Sequence, residues 1–401
     1  MDQSKKLAVV LGIRPDVIRA SLMLRALKQE LGSGLVFIWS GQHYSDNMKD
    51  IFFRQLGVSE PDITLELDTS SDQAMIGSLI HELGDVLAKV RPDAVVFLGD
   101  TNTVTGSIAA AALDIPIVHI EGCMRSYDWR MPEEKYRTTI DHLSDLIYAY
   151  LPEYKGQGII EGLDPDRIVV TGNPIVDVLE HYFISGKVRL EESQRAQLFS
   201  SLGVSGKDFW LMTCHRRENI ETIQSLLNIF RLAESVGEEV VFAAGYRTQR
   251  QIKDLGIELP RNVNMIDPIG YVELMELAVE SVGILTDSGT LVEEAAVLKV
   301  PSVQMRTSTE RPQVYDTGGC VKFDPLVTHS DEDLAKLVFE VRNRRHTAGD
   351  HNLGDGKASE IIVQDLVARL KEGNFRGHKE SDVRRPISRN YGAGVGNRGQ
   401  V

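Results

Sequence analysis

Short runs rich in Val, Ile, Leu and Phe recur along this chain, and most are continuously apolar over three or more residues instead of alternating with polar ones. They stand at 6–12 (KLAVVLG), 35–41 (LVFIWSG), 94–100 (AVVFLGD), 116–122 (PIVHIEG), 209–215 (FWLMTCH), 239–245 (EVVFAAG), 282–289 (VGILTDSG) and 301–306 (PSVQMR). A strand with one wet face alternates; a strand apolar on both faces is covered on both, as in a parallel sheet between helical layers. Stretches of helical period at 16–31, 73–90 and 103–113 separate the early runs, with the spacing of βαβ crossovers. The pattern stutters over 167–193 and then restarts. The sequence therefore predicts an α/β protein of two Rossmann-like, doubly wound domains with a cleft between the carboxyl ends of their sheets. Residues 1–172 form the expected N-terminal domain and 173–375 the C-terminal one, linked near 172–185. The 401 residues suffice for two such units. No sequence repeat relates the halves.

Charge and cysteine content narrow the function classes. Lys+Arg number 44 against Asp+Glu 58, a net charge of −14, which argues against a general nucleic-acid binder, whose affinity depends on a basic face. A focused basic pocket for an anionic ligand remains compatible with an acidic body. Three cysteines (Cys123, Cys214, Cys320) without a CxxC pair predict neither a disulfide framework nor a structural zinc site, and they read as packing residues. The opening apolar run, about six residues long, falls short of a signal-peptide core or a membrane span. The expectation is a cytoplasmic chain without a membrane partner. Residues 376–401 carry six Lys/Arg against two Asp/Glu and read as a disordered basic tail. The GxGxxG at 394–399 has neither a strand before it nor a helix after it and is discarded as a dinucleotide site.

Polar clusters sit where predicted strands end and helices begin, which is where open α/β sheets bind ligands. After the first strand comes Gly12-Ile13-Arg14-Pro15-Asp16, with Arg19 one turn on. Gly12 is expected to let a ligand approach the backbone, and the helix start with two arginines favours a phosphate. Asp100 ends one strand, Glu121 the next, and Glu133-Glu134 opens a helix. Singly, each has an ordinary explanation, as a cap or a charge balancing the helix dipole. Together they make an acidic edge whose crowding is expected to raise some of the pKa values. The second half supplies Cys214-His215-Arg216-Arg217, then Thr286-Asp287-Ser288-Gly289-Thr290 leading to Glu293-Glu294, then Thr309-Glu310-Arg311-Pro312. Ser288 and Gly289 form a candidate anion cradle at a helix start, with Arg311 and His215 placed to neutralise a pyrophosphate. HExxH, GxxxxGK[ST], GxSxG and a Tyr four residues before a Lys are all absent, and with no usable GxGxxG a hydride mechanism has little support.

Taken in order, GIRPD, GDT, HIEGCMR, PEEKYR, HRRE, TDSGTLVEE, TERPQ and HNLGDG resemble the motif series of the non-hydrolysing UDP-N-acetylglucosamine 2-epimerases, over roughly residues 6–371. The resemblance implies a two-Rossmann fold of the GT-B type and no metal or redox cofactor. It implies a UDP-sugar substrate, a cytoplasmic homodimer and a place in polysaccharide biosynthesis. Asp100, Glu121, Glu133 and His215 match the family's catalytic positions. Arg14, Arg19, Ser288, Gly289, Glu294 and Arg311 match or neighbour its UDP-binding positions, Arg19 standing where the family usually has lysine. The implied reaction inverts C2 of a UDP-N-acetylhexosamine by elimination and re-addition of UDP through a 2-acetamidoglucal. Ile13, Asp16, Gly122-Cys123, Tyr136, Thr290, Gln313 and the 242–246 stretch depart from the family pattern. They suggest a divergent member acting on a modified sugar, with Tyr136, Thr290 and Gln313 as the positions where the difference is expected. The sequence leaves open a hydrolysing 2-epimerase, a GT-B glycosyltransferase and a non-catalytic UDP-sugar-binding protein.

Overall fold

The computed structural model describes residues 5–41, 56–344 and 350–376. The apolar runs become strands of two separate parallel sheets. The first comprises β1 (Leu7–Leu11), β2 (Leu35–Trp39), β3 (Ile63–Thr64), β4 (Ala94–Leu98), β5 (Ile117–Ile120), β6 (Leu146–Ala149) and β7 (Ile168–Val170). Their spatial order is β3-β2-β1-β4-β5-β6-β7. The second comprises β8 (Phe209–Thr213), β9 (Glu239–Ala243), β10 (Val263–Ile266), β11 (Ile284–Thr286), β12 (Ser302–Met305) and β13 (Cys320–Phe323), ordered β10-β9-β8-β11-β12-β13. All residues of β1 and β4 are buried, which is why these strands are apolar on both faces. Each such Val or Leu contributes roughly 1.5–3 kcal/mol.

In both sheets the strand order reverses beside the first strand, between β1 and β4 and between β8 and β11. A crevice opens at such a switch point because the loops on either side leave in opposite directions. The segments after β1, β4, β8 and β11 therefore frame the cleft. These are the positions of Arg14, Asp100, His215 and Ser288.

The joint between the lobes is short and packed. Asn173 caps the Pro174–Val178 helix, its Oδ1 accepting from the Ile175 amide at 3.0 Å. This helix continues as a wider turn through Ile184 and lies against the Arg14–Leu31 helix and the Gly289–Val297 helix of the second lobe. The last helix, Ala358–Glu372, packs on the Arg14–Leu31 helix, burying Ile362, Leu366 and Leu370. The closing part of the 173–375 segment thus rests on the first lobe. Its entry is fixed by the Asn173 amide donating to the Leu353 carbonyl (2.8 Å) and by Asp177 accepting from the Ala358 and Ser359 amides (3.2 and 2.5 Å). Gly354 has φ +128°, and a Cβ there would stand 3.0 Å from the Gly172 Cα. The GDG of HNLGDG therefore serves this backbone crossing. All three cysteines are buried and free. The tail at 377–401, with its GxGxxG, lies outside the described residues. Among the described residues no helix is long and apolar enough to cross a membrane.

Candidate active site

A cleft of about 700 Å³ between the lobes is lined by Asp100, Glu121 and Glu133 from the first lobe and His215, Ser288, Gly289 and Arg311 from the second. Arg19 also reaches it. Eight sequence-predicted residues thus meet in one space. Arg14 begins the same helix as Arg19 but does not line the cleft, and Glu294 lies buried beneath it, accepting from the Tyr271 hydroxyl at 2.9 Å. Burial pushes Glu294 up to about 7. Of the three positions expected to mark a modified sugar, Thr290 lines the cleft; Tyr136 packs into the first-lobe core, and Gln313 accepts from the Tyr154 hydroxyl at 2.7 Å. A second cavity of about 330 Å³, lined by Arg25, Lys28, Phe37 and Asp62, holds none of the predicted residues.

Glu121 is the hub. Its carboxylate pairs with Arg19, accepts from Arg311 Nη2 at 2.8 Å, and accepts from the Tyr150 hydroxyl at 3.0 Å. Its backbone adopts φ +77°, in the left-handed region that costs a non-glycine residue about 1–2 kcal/mol. The turn that holds it there is braced from behind. Asp141 accepts from the Cys123 amide (2.9 Å) and from Arg125 Nη1 (2.7 Å). His119, fully buried, stands with Nδ1 2.7 Å from Asp141 and Nε2 2.8 Å from the Gly99 carbonyl. Burial works to raise the Asp141 pKa, but the His119 ring and the Arg125 guanidinium outweigh it and hold the carboxyl below its ordinary range.

Asp100 pairs with Arg137, which also bonds Glu134 at 2.6 Å. Burial again opposes charge, and the Arg137 guanidinium prevails, so Asp100 titrates below the usual aspartate value. Of the acids among which crowding is expected to raise some, Asp100 is thus lowered, because an arginine partner outweighs both burial and its acidic neighbours. The raised carboxyl on this side is Asp16, pushed by burial up to about 6. Glu134 is a folding residue, accepting from the amides of Ser126 and Tyr127 at 2.8–3.1 Å and shaping the loop over the cleft. Gly12 also needs correction. A Cβ there would collide with Thr103 Oγ1, so the glycine accommodates a neighbouring loop and leaves no opening for a ligand.

In the second lobe, Asp287 is buried and organises the loop after β8. It accepts from the amides of His215 (3.0 and 3.1 Å) and Arg216 (2.9 Å) and from Asn219 Nδ2 (3.1 Å), and stands 3.2 Å from His215 Nδ1. With Nδ1–H directed at Asp287, Nε2 of His215 is left for a ligand. Ser288 caps the Gly289–Val297 helix through the Leu291 amide (3.2 Å). A Cβ on Gly289 would stand 2.7 Å from Arg311 Nη1, so the glycine allows the guanidinium to lie against the helix start. Arg311 also meets Glu293 (3.1 Å) and Glu310, whose carboxyl is held well below its ordinary range by Arg306 and Arg311 against the effect of burial. Ser308 donates to Asp128 across the lobes at 2.9 Å.

Sequence reasoning placed the first-rank polar residues but not their partners. His119, Arg137, Asp141, Asp287 and Glu310 lie in the quoted motifs or beside them, and nothing in a linear pattern shows which charge meets which.

The comparisons agree with this fold. The family model described as UDP-N-acetylglucosamine 2-epimerase matches residues 25–367. The UDP-N-acetylglucosamine 2-epimerase of Methanocaldococcus jannaschii is 34% identical over 90% of this chain and 99% of its own. The UDP-2,3-diacetamido-2,3-dideoxy-D-glucuronate 2-epimerase of Pseudomonas aeruginosa is 33% identical over 90% and 99%. Among solved structures, the M. jannaschii UDP-GlcNAc 2-epimerase in complex with UDP-GlcNAc and UDP superposes with a TM-score of 0.81 at 34% identity, covering 90% of this chain and 99% of that one. The Neisseria meningitidis UDP-GlcNAc 2-epimerase bound to UDP-GlcNAc gives 0.79 at 28% identity, covering 90% and 100%.

Proposed function

The chain belongs to the UDP-N-acetylglucosamine 2-epimerase family, and from that premise we propose that it inverts C2 of a UDP-N-acetylhexosamine by eliminating and re-adding UDP. The observation that carries this reading is the meeting, at the two switch points of one cleft, of first-lobe carboxylates with a second-lobe arginine, histidine and helix start.

The hydrogen on C2 has no adjacent carbonyl, so its removal needs a leaving group on C1. As the C1–O bond breaks, the C2 proton passes to a carboxylate and a 2-acetamidoglucal forms. Return of UDP to C1 with protonation of C2 from the opposite face completes the inversion. Asp100, held ionised by Arg137, suits a proton acceptor, and Glu133 faces the same space. Arg311, Arg19 and the Ser288-Gly289 helix start suit a departing pyrophosphate. His215 Nε2 suits hydrogen bonding or proton donation to the leaving oxygen. A bound pyrophosphate would compete with Glu121 for Arg19 and Arg311, releasing that carboxylate toward the sugar. Arg14 and Glu294 belong to this proposal as UDP contacts on the strength of the family resemblance.

The test is isotopic. Incubation with UDP-GlcNAc and with UDP-2,3-diacetamido-2,3-dideoxyglucuronate in D₂O should place deuterium at C2 of the epimerised product, read by NMR. Retention of the original hydrogen there would exclude the mechanism. Release of free N-acetylmannosamine with UDP would identify a hydrolysing enzyme. The near-equal likeness to relatives named for a neutral and an acidic sugar is why both substrates belong in the panel. The reading includes a cytoplasmic homodimer serving polysaccharide biosynthesis, supported by the family resemblance; light scattering on the purified protein checks the dimer.

A further inference from the structure

We infer that His119 is a positioning residue for the reaction: one imidazole ties together the two strand ends that carry Asp100 and Glu121. The ring lies wholly buried on β5, two residues before Glu121. Nε2 stands 2.8 Å from the Gly99 carbonyl, on the residue just before Asp100, and Nδ1 stands 2.7 Å from Asp141 Oδ1. Asp141 in turn accepts from the Cys123 amide, two residues beyond Glu121. The ring thus reaches Asp100 by one arm and the far side of the Glu121 turn by the other.

The backbone on both arms needs such a brace. Glu121 at φ +77° and Cys123 at +66° hold left-handed conformations that a non-glycine residue keeps only where its surroundings fix them, and Gly99 at +84° is a freely turning glycine that sets no direction for Asp100 by itself. The turn has no room to shift inward, because a Cβ on Gly122 would stand 2.8 Å from Asp141 Oδ1 and 3.3 Å from His119 Nδ1, and would collide with Ile147 Cγ2. The polar groups facing the ring are the Gly99 carbonyl from β4 and Asp141 from the Pro132–Leu143 helix; Arg125 balances Asp141 from behind. His119 touches none of the cleft surface, so it acts through Asp100 and Glu121. Misplacing a reacting group by about 1 Å can cost on the order of 10²-fold in rate.

The experiment rests on the epimerase reading and separates the two arms. His119→Asn can keep the bond toward Asp141, His119→Gln the bond toward Gly99, and His119→Phe neither. We expect kcat, counted per folded molecule, to fall about 100-fold for His119→Phe and less for the two amides, with KM within about threefold of wild type and C2 deuterium exchange falling in parallel. Variants whose kcat stays within twofold of wild type, or whose loss is carried by KM, overturn the inference. If His119→Phe does not fold, the Asn and Gln variants decide it by the same criteria. Exchange in the wild type beside unchanged variants sinks this inference alone, whereas no exchange in the wild type sinks the functional reading with it.

Discussion

Arg311 Nη2 lies 2.8 Å from Glu121 Oε1, and this buried ion pair joins the second lobe to the first at the floor of the cleft. The pair brings an arginine and a carboxylate to the place where a substrate's charge and a reacting proton would be handled. Its partner set makes Arg311 hard to replace even by another cation. Lysine retains the charge but loses the planar fork that spans Glu121, Glu293 and Glu310. Arg311→Lys is expected to lower kcat/KM about 10- to 100-fold, the equivalent of losing one charged hydrogen bond at roughly 1.5–3 kcal/mol. Calorimetric titration with UDP should show a parallel loss of affinity; unchanged UDP binding would remove Arg311 from the nucleotide site.

His215 makes a different kind of prediction. Asp287 fixes its backbone and faces its Nδ1, leaving Nε2 toward the cleft. His215→Asn should lower kcat by about 10²–10⁴-fold, the usual range for a positioned proton-transfer group, while the dissociation constant for UDP changes less than tenfold. A variant that binds UDP poorly but turns over bound substrate normally would make His215 a binding residue only.

The Glu294 carboxyl, raised by burial to about 7 from an ordinary 4.5, gives a pH signature in stability. Between those values the folded protein holds a proton that the unfolded chain has released, so stability is full below about 4.5 and declines as pH rises through about 7. The effect is at most about 3 kcal/mol. Glu294→Gln can still accept from Tyr271 and does not titrate. Thermal unfolding across pH 4.5–8 should therefore show the variant gaining on the wild type as pH rises; a constant gap would refute the raised value.

Leu366 tests the role of the last helix. It is fully buried against the first lobe, and Leu366→Ala should cost about 2–5 kcal/mol. Denaturant unfolding monitored from first-lobe tryptophan Trp39, which lies in the same apolar cluster, should report that loss. A midpoint shift seen only in second-lobe probes would show that the helix stabilises the other lobe.

The strands that were legible in the sequence are those buried on both faces, such as β1, β4, β8 and β11, because continuous apolarity leaves a signal that needs no partner to interpret. Most of the less legible strands were peripheral or short; β6 is buried at every residue, but only Ser144 and Asp145 part it from the Pro132–Leu143 helix, so no break in the sequence marks it out. β13 reads Cys-Val-Lys-Phe with an exposed Lys322, β3 is two residues long, and β10 is only partly buried beyond Val263. The site was legible by position, since Asp100, Glu121, His215 and Ser288 each follow a recognisable strand. The charge state of the acids was not. Asp100 meets Arg137 through a fold that brings residues 37 apart together, and Glu121 meets Arg311 across 190 residues. Crowding of like charges could be read from the chain; the arginine assigned to each could not.

The return of the Ala358–Glu372 helix to the first lobe means that the polypeptide passes between the lobes twice, once near Asn173 and again near Gly354, with the two passages in backbone contact. A pair of adjoining tethers resists twisting and sideways drift far more than one would. Any opening of the cleft must therefore bend both passages at once, beside Gly172 and Gly354.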